Sequence, residues 1–291
     1  GMSVDYKKNF GMLDIVGFNG NGEEIGELEK FRDKYPSVCA VATEVPHTYQ
    51  TRGVYRTKTQ WRRRDFPAPW EKKNPIKWDL FEKRVFPIPD LAAEEFFPEE
   101  EIHPYYQSSY DNASVRISVR RAWQRACAFP WLMGEFRWGS FDYLGEAEWP
   151  QRCGNFGIID VAAMPKDAYY LYQSLWTDKP MVHLLPHWTH MGKEGKIVPV
   201  VVYTNCDSVE LLLNNVSLGT QPYKGEQLVW NIPYESGRIE AKAKNGNRIV
   251  ATDMQQTASL AYTVSCSANK LELQAGSAEV ARLEFSVVDR N

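Results

Sequence analysis

No stretch of about 18 consecutive apolar residues occurs in the 291-residue chain, so no membrane-spanning helix, and no membrane partner, is expected of it. Cysteine is scarce and scattered. Cys39, Cys127, Cys153, Cys206 and Cys266 are odd in number and form no CxxC pair, which specifies neither a zinc site nor a disulfide framework. Charge of neither sign dominates: 34 Lys and Arg stand against 37 Asp and Glu, a net charge of −3. Such a balance exerts no long-range pull on phosphate backbones, so nucleic acid is not an expected partner. No Gly-rich phosphate loop or Gly-x-Ser-x-Gly elbow is present, and no cofactor is expected. His183, His187 and His190 fit no established zinc spacing, with Pro186 between them. They are read as hydrogen-bonded histidines at a junction, with no metal. Residues Gly1–Lys8 hold no apolar run of the signal-peptide kind, Gly1 ahead of Met2 reads as a cloning remnant, and the compartment stays open.

Aromatic residues, by contrast, are abundant: 10 Trp, 15 Tyr and 13 Phe make up 13% of the chain. Flat rings with a polar edge suit sugar faces and protein interfaces alike, and they also make ordinary bulky cores. The chain is long enough for one large domain or two medium ones.

The first half alternates strand and helix. Met12–Phe18 is a short apolar run emptying into Asn19-Gly20-Asn21-Gly22. Glu23–Lys34 carries Ile25, Leu28 and Phe31 on one helical face, and Val38–Thr43 is continuously apolar, as a parallel strand buried on both faces would be. This predicts a right-handed βαβ unit. Residues 50–110 break the rhythm with Arg62-Arg63-Arg64, Trp61 and Trp70, then an acidic run at Glu94–Glu101, and read as an ordered insertion with a salt-bridged loop. Asp111-Asn112 offers an N-cap for a helix over Ala113–Ala128, followed by a strand over Trp131–Trp138 and a helix over Pro165–Trp176.

After about residue 180 the pattern becomes short alternating strands: Val198–Tyr203, Ser208–Leu213, Gln227–Ile232, Arg238–Lys244 and Ile249–Gln255. Hairpin signals lie at Asn214-Asn215 and Lys244–Asn247. A small antiparallel sandwich follows from this. Two further strands, Lys270–Gln274 and Ala281–Val288, begin a tail that cannot close a sandwich and is read as an incomplete domain.

Two stretches carry candidate chemistry. Thr43-Glu44-Val45-Pro46-His47 puts Glu44 just beyond an apolar parallel strand, where α/β barrels hold catalytic groups, although a carboxylate opening a loop is ordinarily solvated surface. In Gly134–Glu146, Trp138, Phe141 and Tyr143 beside Asp142 and Glu146 would make an aromatic floor with carboxylates on its rim. Equally, the rings could be packing and Glu135 could lie inside the sheet paired with an Arg.

Together these stretches resemble glycoside hydrolase family 2, in its bacterial β-galactosidase branch. The resemblance rests on Asp14–Asn19, Thr43-Glu44, Gly134–Glu146, Phe156–Asp160, Pro165–Asp167, Tyr169–Ser174, Val182–Trp188 and Tyr203–Leu211, the last similar to an immunoglobulin-like domain. It implies a multidomain α/β plus all-β chain: the last three βα units (strands 6–8) of a (β/α)8 barrel over residues 2–180, an immunoglobulin-like β-sandwich over 181–261, and an incomplete β domain over 262–291. It also implies retaining hydrolysis of a β-linked glycoside by two carboxylates about 5–5.5 Å apart. On the matching positions Glu44 would be the nucleophile, and His47, Trp138, Asn19 and Asp142 would bind substrate.

Two departures from the family pattern stand out. Where the resemblance implies a Tyr bonded to the nucleophile, this chain has Gly20; and the Asn-Glu dipeptide that would carry the acid/base is absent. A barrel needs about 250 residues, so the chain reads as a C-terminal piece carrying the nucleophile without the acid/base. It is expected to be inactive or nearly so alone, and to self-associate or bind the N-terminal half. The compartment is left unknown; a periplasmic or secreted full-length enzyme is compatible with the resemblance. The competing expectation is a carbohydrate-binding or scaffold module with a vestigial barrel.

Overall fold

The computed structural model describes residues 11–20, 23, 25–58, 86, 91–92, 94–96, 106–112, 117–146 and 152–290. The Arg62–Arg64 loop and most of the acidic run lie outside the described residues.

Three strands, β1 (Ile15–Asn19), β2 (Cys39–Thr43) and β3 (Leu132–Phe136), form a parallel sheet in the order β1-β2-β3. Helix α1 (Glu27–Lys34) connects the first two and α2 (Val119–Ala128) precedes the third. Val16, Phe18, Ala40, Ala42 and Leu132 face the helices and bury with Leu28 and Phe31. The Phe18 and Phe31 rings meet edge to face at 4.9 Å. Each such side chain contributes about 1.5–3 kcal/mol by leaving water.

The opposite face differs from the expectation of a doubly buried β2. Ile15, Cys39, Met133 and Phe136 are exposed there, with no cover among the described residues. The alternation of side chains puts every second residue on that face.

Two helices start later than their periodicity predicts. Gly26 sits at φ 79, a left-handed conformation that cannot continue a right-handed helix, so α1 begins at Glu27 and Glu23 lies in the preceding loop. Once begun, α1 has Glu27 and Glu29 in its first turn and Arg32 and Lys34 in its last, matching the helix dipole. Helix α2 begins at Val119 behind Ser118, whose hydroxyl accepts from the Arg121 N–H at 3.3 Å. Asp111 still serves its N-terminus, from eight and nine residues away. Its carboxylate accepts the Val119 and Arg120 N–H groups at 2.8 and 3.1 Å. Burial pushes the Asp111 carboxyl up to about 6, against these bonds and Arg120, which pull it down.

Helix α3 (Asp167–Trp176) leads into β4 (Val182–Leu185). Two antiparallel sheets follow, β4-β5-β8 and β10-β9-β6-β7, with β5 Ile197–Thr204, β6 Ser208–Leu213, β7 Val216–Pro222, β8 Leu228–Pro233, β9 Arg238–Asn245 and β10 Arg248–Gln256. Val200, Val202, Val209, Leu211, Trp230, Ile239 and Ala241 belong to their shared core. Asn214 and Asn215, at φ 50 and 68, supply the two left-handed residues of the β6–β7 hairpin. Strand β5 is buried on both faces: Val201 and Tyr203 pack with Leu171 and Tyr172 of α3 and with Tyr110. This second face ties the sandwich to α3, which in turn packs on α2 through Val119.

The tail holds β11 (Thr263–Ala268) paired antiparallel with β12 (Leu283–Val288). Lys270–Gln274, expected as a strand, is not one. Gln274 instead opens a turn, its carbonyl accepting from the Ser277 N–H at 3.2 Å.

Candidate active site

Three strand ends meet at one edge of the parallel sheet. Asn19 closes β1, Glu44 follows β2, and Trp138 lies two residues past β3. The ladder continues past the strands on both sides of Glu44: Gly20 N–H donates to Thr43 O at 2.8 Å and Val45 N–H to Phe136 O at 3.2 Å. Between them Glu44 takes φ 54, a left-handed conformation unusual for a residue with a side chain. Its side chain is 33% exposed. The strand end thus aims a carboxylate outward at the carboxyl edge, where open α/β sheets bind ligands.

His47 stands beside it, with Nε2 3.9 Å from Glu44 Oε2. On its other side, Nδ1 lies 2.9 Å from Oε1 of Glu23, and the same oxygen accepts the His47 backbone N–H. The Glu23 side chain is 0% exposed. Gly20 borders this ring: a Cβ there would come within 3.0 Å of His47 Cε1, so a Tyr at position 20 would begin against the imidazole.

Rings continue from His47 to Trp138. Phe156 lies 6.5 Å from His47 and 4.4 Å from Tyr49, and stacks on Tyr143 at 6.3 Å with planes 9° apart. Tyr143 in turn meets Trp138 edge to face at 6.1 Å and accepts its indole N–H at 3.3 Å. The Tyr143 hydroxyl donates to Glu146. Trp138 itself is 40% exposed, an indole available to a ligand. Arg137 fixes the loops under this wall, donating to the carbonyls of Pro46, of Thr48 at 3.0 Å and of Phe156 at 2.7 Å.

Asp142 does not sit on the rim as expected. Its side chain is 6% exposed and pairs with Lys166 Nζ at 2.7 Å, and the same oxygen accepts the Gly157 N–H at 2.9 Å. Lys166 also donates to the Gln50 and Asn155 carbonyls at 2.7 and 3.3 Å. Burial pushes the Asp142 carboxyl up and the Lys166 amine down, each opposed by the other's charge. The pair therefore braces the Trp138–Tyr143 loop from beneath, and Gly157 is part of that brace. A Cβ on Gly157 would come 2.1 Å from Asp142 N.

Glu135 turns inward toward the helices, but without the Arg partner of the packing alternative: its Oε1 makes no hydrogen bond, and Arg137 donates to carbonyls instead. Glu135 borders a cavity of about 20 Å³ lined also by Leu28, Ala122 and Leu132. Gly134, at φ 137, lets β3 fit one extra residue opposite β2 and so places it there. Burial pushes its carboxyl up to about 7, with Arg137 lowering and Glu23 raising it. No group of three or more His, Cys, Asp or Glu residues suited to a metal occurs among the described residues. His183 is held by two carboxylates, Asp167 at 2.7 Å and Asp253 at 3.5 Å. Burial alone would lower it, but these partners raise it to about 9. His190 is pushed down to about 4, chiefly by burial.

Sequence reasoning singled out Asn19, Glu44, His47 and Trp138, and the structure brings them to one edge. Glu23, Arg137 and Lys166 escaped it. Glu23 and Lys166 act on residues 24 positions away, and nothing in the local pattern marks them.

A family model described as a domain of unknown function, DUF4982, matches residues 195–251. A putative β-glucuronidase of Formosa agariphila is 39% identical over 280 residues, covering 90% of this chain and 25% of that protein. The β-galactosidase BoGH2A of Bacteroides ovatus is 28% identical over 285 residues, covering 96% of this chain and 30% of that protein. Among solved structures, a β-glycosidase from Bacteroides vulgatus superposes with a TM-score of 0.88 at 70% identity, over 96% of this chain and 35% of its own. A glycosyl hydrolase family 2 member from Bacteroides cellulosilyticus shares the fold, with a TM-score of 0.52 at 22% identity over 94% of this chain and 38% of its own. The chain spans between 25% and 35% of the length of the first relatives it matches, which are named as β-glucuronidase, β-galactosidase and β-glycosidase.

Proposed function

We propose that this chain supplies the nucleophile side of a retaining β-glycoside hydrolase. The observation that carries the proposal is Glu44: a partly exposed carboxylate at the end of the central parallel strand, with the exposed Trp138 indole at the next strand end. In this reading β1, β2 and β3 are strands six to eight of a (β/α)8 barrel, and the two sheets after residue 181 are an immunoglobulin-like sandwich. Glu44 attacks the anomeric carbon and forms a glycosyl–enzyme ester, while a second carboxyl group protonates the leaving oxygen and later activates water. His47 and Asn19 contact sugar hydroxyls, and Trp138 stacks on the sugar's C–H face. Asp142 acts through the loop it braces.

The names of the relatives support a β-linked glycoside as the substrate class. The acid/base belongs to residues outside this sequence, and loss of such a group costs about 10²–10⁴ in rate. The isolated chain is therefore inactive, or nearly so, and turnover requires the remaining barrel. Hydrolysis of chromogenic β-galactosides and β-glucuronides, by the chain alone and with the complementary segment of a family relative, tests this. Turnover is expected only in the combined sample and is abolished by Glu44→Gln. Turnover that survives Glu44→Gln would overturn the assignment. Sugar binding without turnover in every sample would favour a binding module built on the Trp138 wall.

A further inference from the structure

We propose that Glu23 is a positioning residue that fixes which nitrogen of His47 faces Glu44. The inference rests on the reading of Glu44 as nucleophile and adds a residue that reading does not contain. Glu23 sits in the loop between β1 and α1, with its backbone N–H on Gly20 O at 3.3 Å. Its side chain is wholly enclosed, and a single oxygen, Oε1, takes both the backbone N–H and the ring Nδ1 of His47. Oε1 already acts as an acceptor toward the backbone N–H, so it meets Nδ1 as an acceptor too, and Nδ1 carries the hydrogen. The two bonds hold His47 at its backbone and at its ring. Gly20 walls the Cε1 edge, where not even a methyl carbon would fit at normal distance.

In a neutral imidazole with its hydrogen on Nδ1, Nε2 is bare. That atom stands 3.9 Å from Glu44 Oε2, on the side open to substrate. Bare Nε2 accepts the hydrogen of a sugar hydroxyl and gives nothing to Glu44, whose lone pairs stay available for attack. The other tautomer would donate from Nε2 to Glu44 and blunt it as a nucleophile. Glu23 thus protects the reactivity of Glu44 through His47 without touching substrate.

Nitrogen-15 labelling of histidine and long-range proton–nitrogen correlation on this chain read the tautomer directly, with His47 assigned by the loss of its signals in His47→Asn. The expected result is a protonated Nδ1 and a bare Nε2 in the neutral ring, moving toward the opposite tautomer in Glu23→Ala and retained in Glu23→Gln, whose amide oxygen still accepts. A ring protonated on Nε2 in the parent, or a tautomer indifferent to Glu23→Ala, would overturn the proposal. This arm needs no turnover, so it stands or falls apart from the role of Glu44. In the combined sample described above, Glu23→Ala is expected to lower kcat/KM at least about tenfold, with Glu23→Gln restoring most of it, as misplacement of a contact by about 1 Å can cost 10²-fold. Equal losses in both variants would mark Glu23 as merely structural and likewise overturn it.

Discussion

Lys166 Nζ lies 2.7 Å from Asp142 Oδ1, and both side chains are almost wholly removed from solvent. The pair joins the residue that caps α3 to the loop that carries Trp138 and Tyr143. Replacing one partner leaves the other's charge buried and uncompensated, which typically costs about 3–5 kcal/mol. Lys166→Met is therefore expected to lower stability by that order in urea unfolding. Asp142→Asn combined with Lys166→Met should cost less than the sum of the single changes. Strict additivity would mean that the pair is not coupled.

His183 links helix α3, through Asp167, to strand β10, through Asp253, and stacks on Tyr170 at 3.9 Å. Its folded pKa of about 9 stands above the ordinary 6.5. A raised folded pKa means that the folded state holds the proton more tightly. The stabilisation is complete below about pH 6.5 and lost as pH rises through about 9, in total on the order of 3 kcal/mol. Thermal melts across that window should show a steeper alkaline loss in the parent than in His183→Gln. Parallel pH profiles would contradict the clasp.

The open face of the parallel sheet leaves Ile15, Met133 and Phe136 exposed side by side with Cys39. Apolar patches of this kind associate in water. Light scattering on the chain alone is expected to report self-association, reduced by Phe136→Lys or by addition of the complementary segment. A monodisperse monomer at tens of micromolar would count against an uncovered sheet face (about 10⁻⁵ M lies well within the range of weak protein contacts).

Much of the fold could be read in the chain because alternation is visible wherever one face is buried. Val209, Leu211 and Leu213 mark β6 by their period of two, and all three are core. Strand β7 is silent in the sequence because Val216–Pro222 carries no buried face to leave a pattern. Gly26 was swallowed by the periodicity of Ile25, Leu28 and Phe31, although its left-handed φ is what stops the helix. At the site, Glu44 was visible because an apolar strand runs up to it. The turning-in of Asp142 was not, because Lys166 reaches it only after the chain has folded back. A buried partner distant in sequence leaves no local trace, and Glu23 under His47 is the same case.

A 2-deoxy-2-fluoro-glycosyl reagent tests the proposed role of Glu44 most directly. Such a sugar slows breakdown of the glycosyl–enzyme ester, so the label stays on the attacking carboxylate. Peptide mapping of the combined sample should find one fluoro-sugar on Glu44 and none in Glu44→Gln. A label recovered on any other residue, with Glu44 unmodified, would contradict the account.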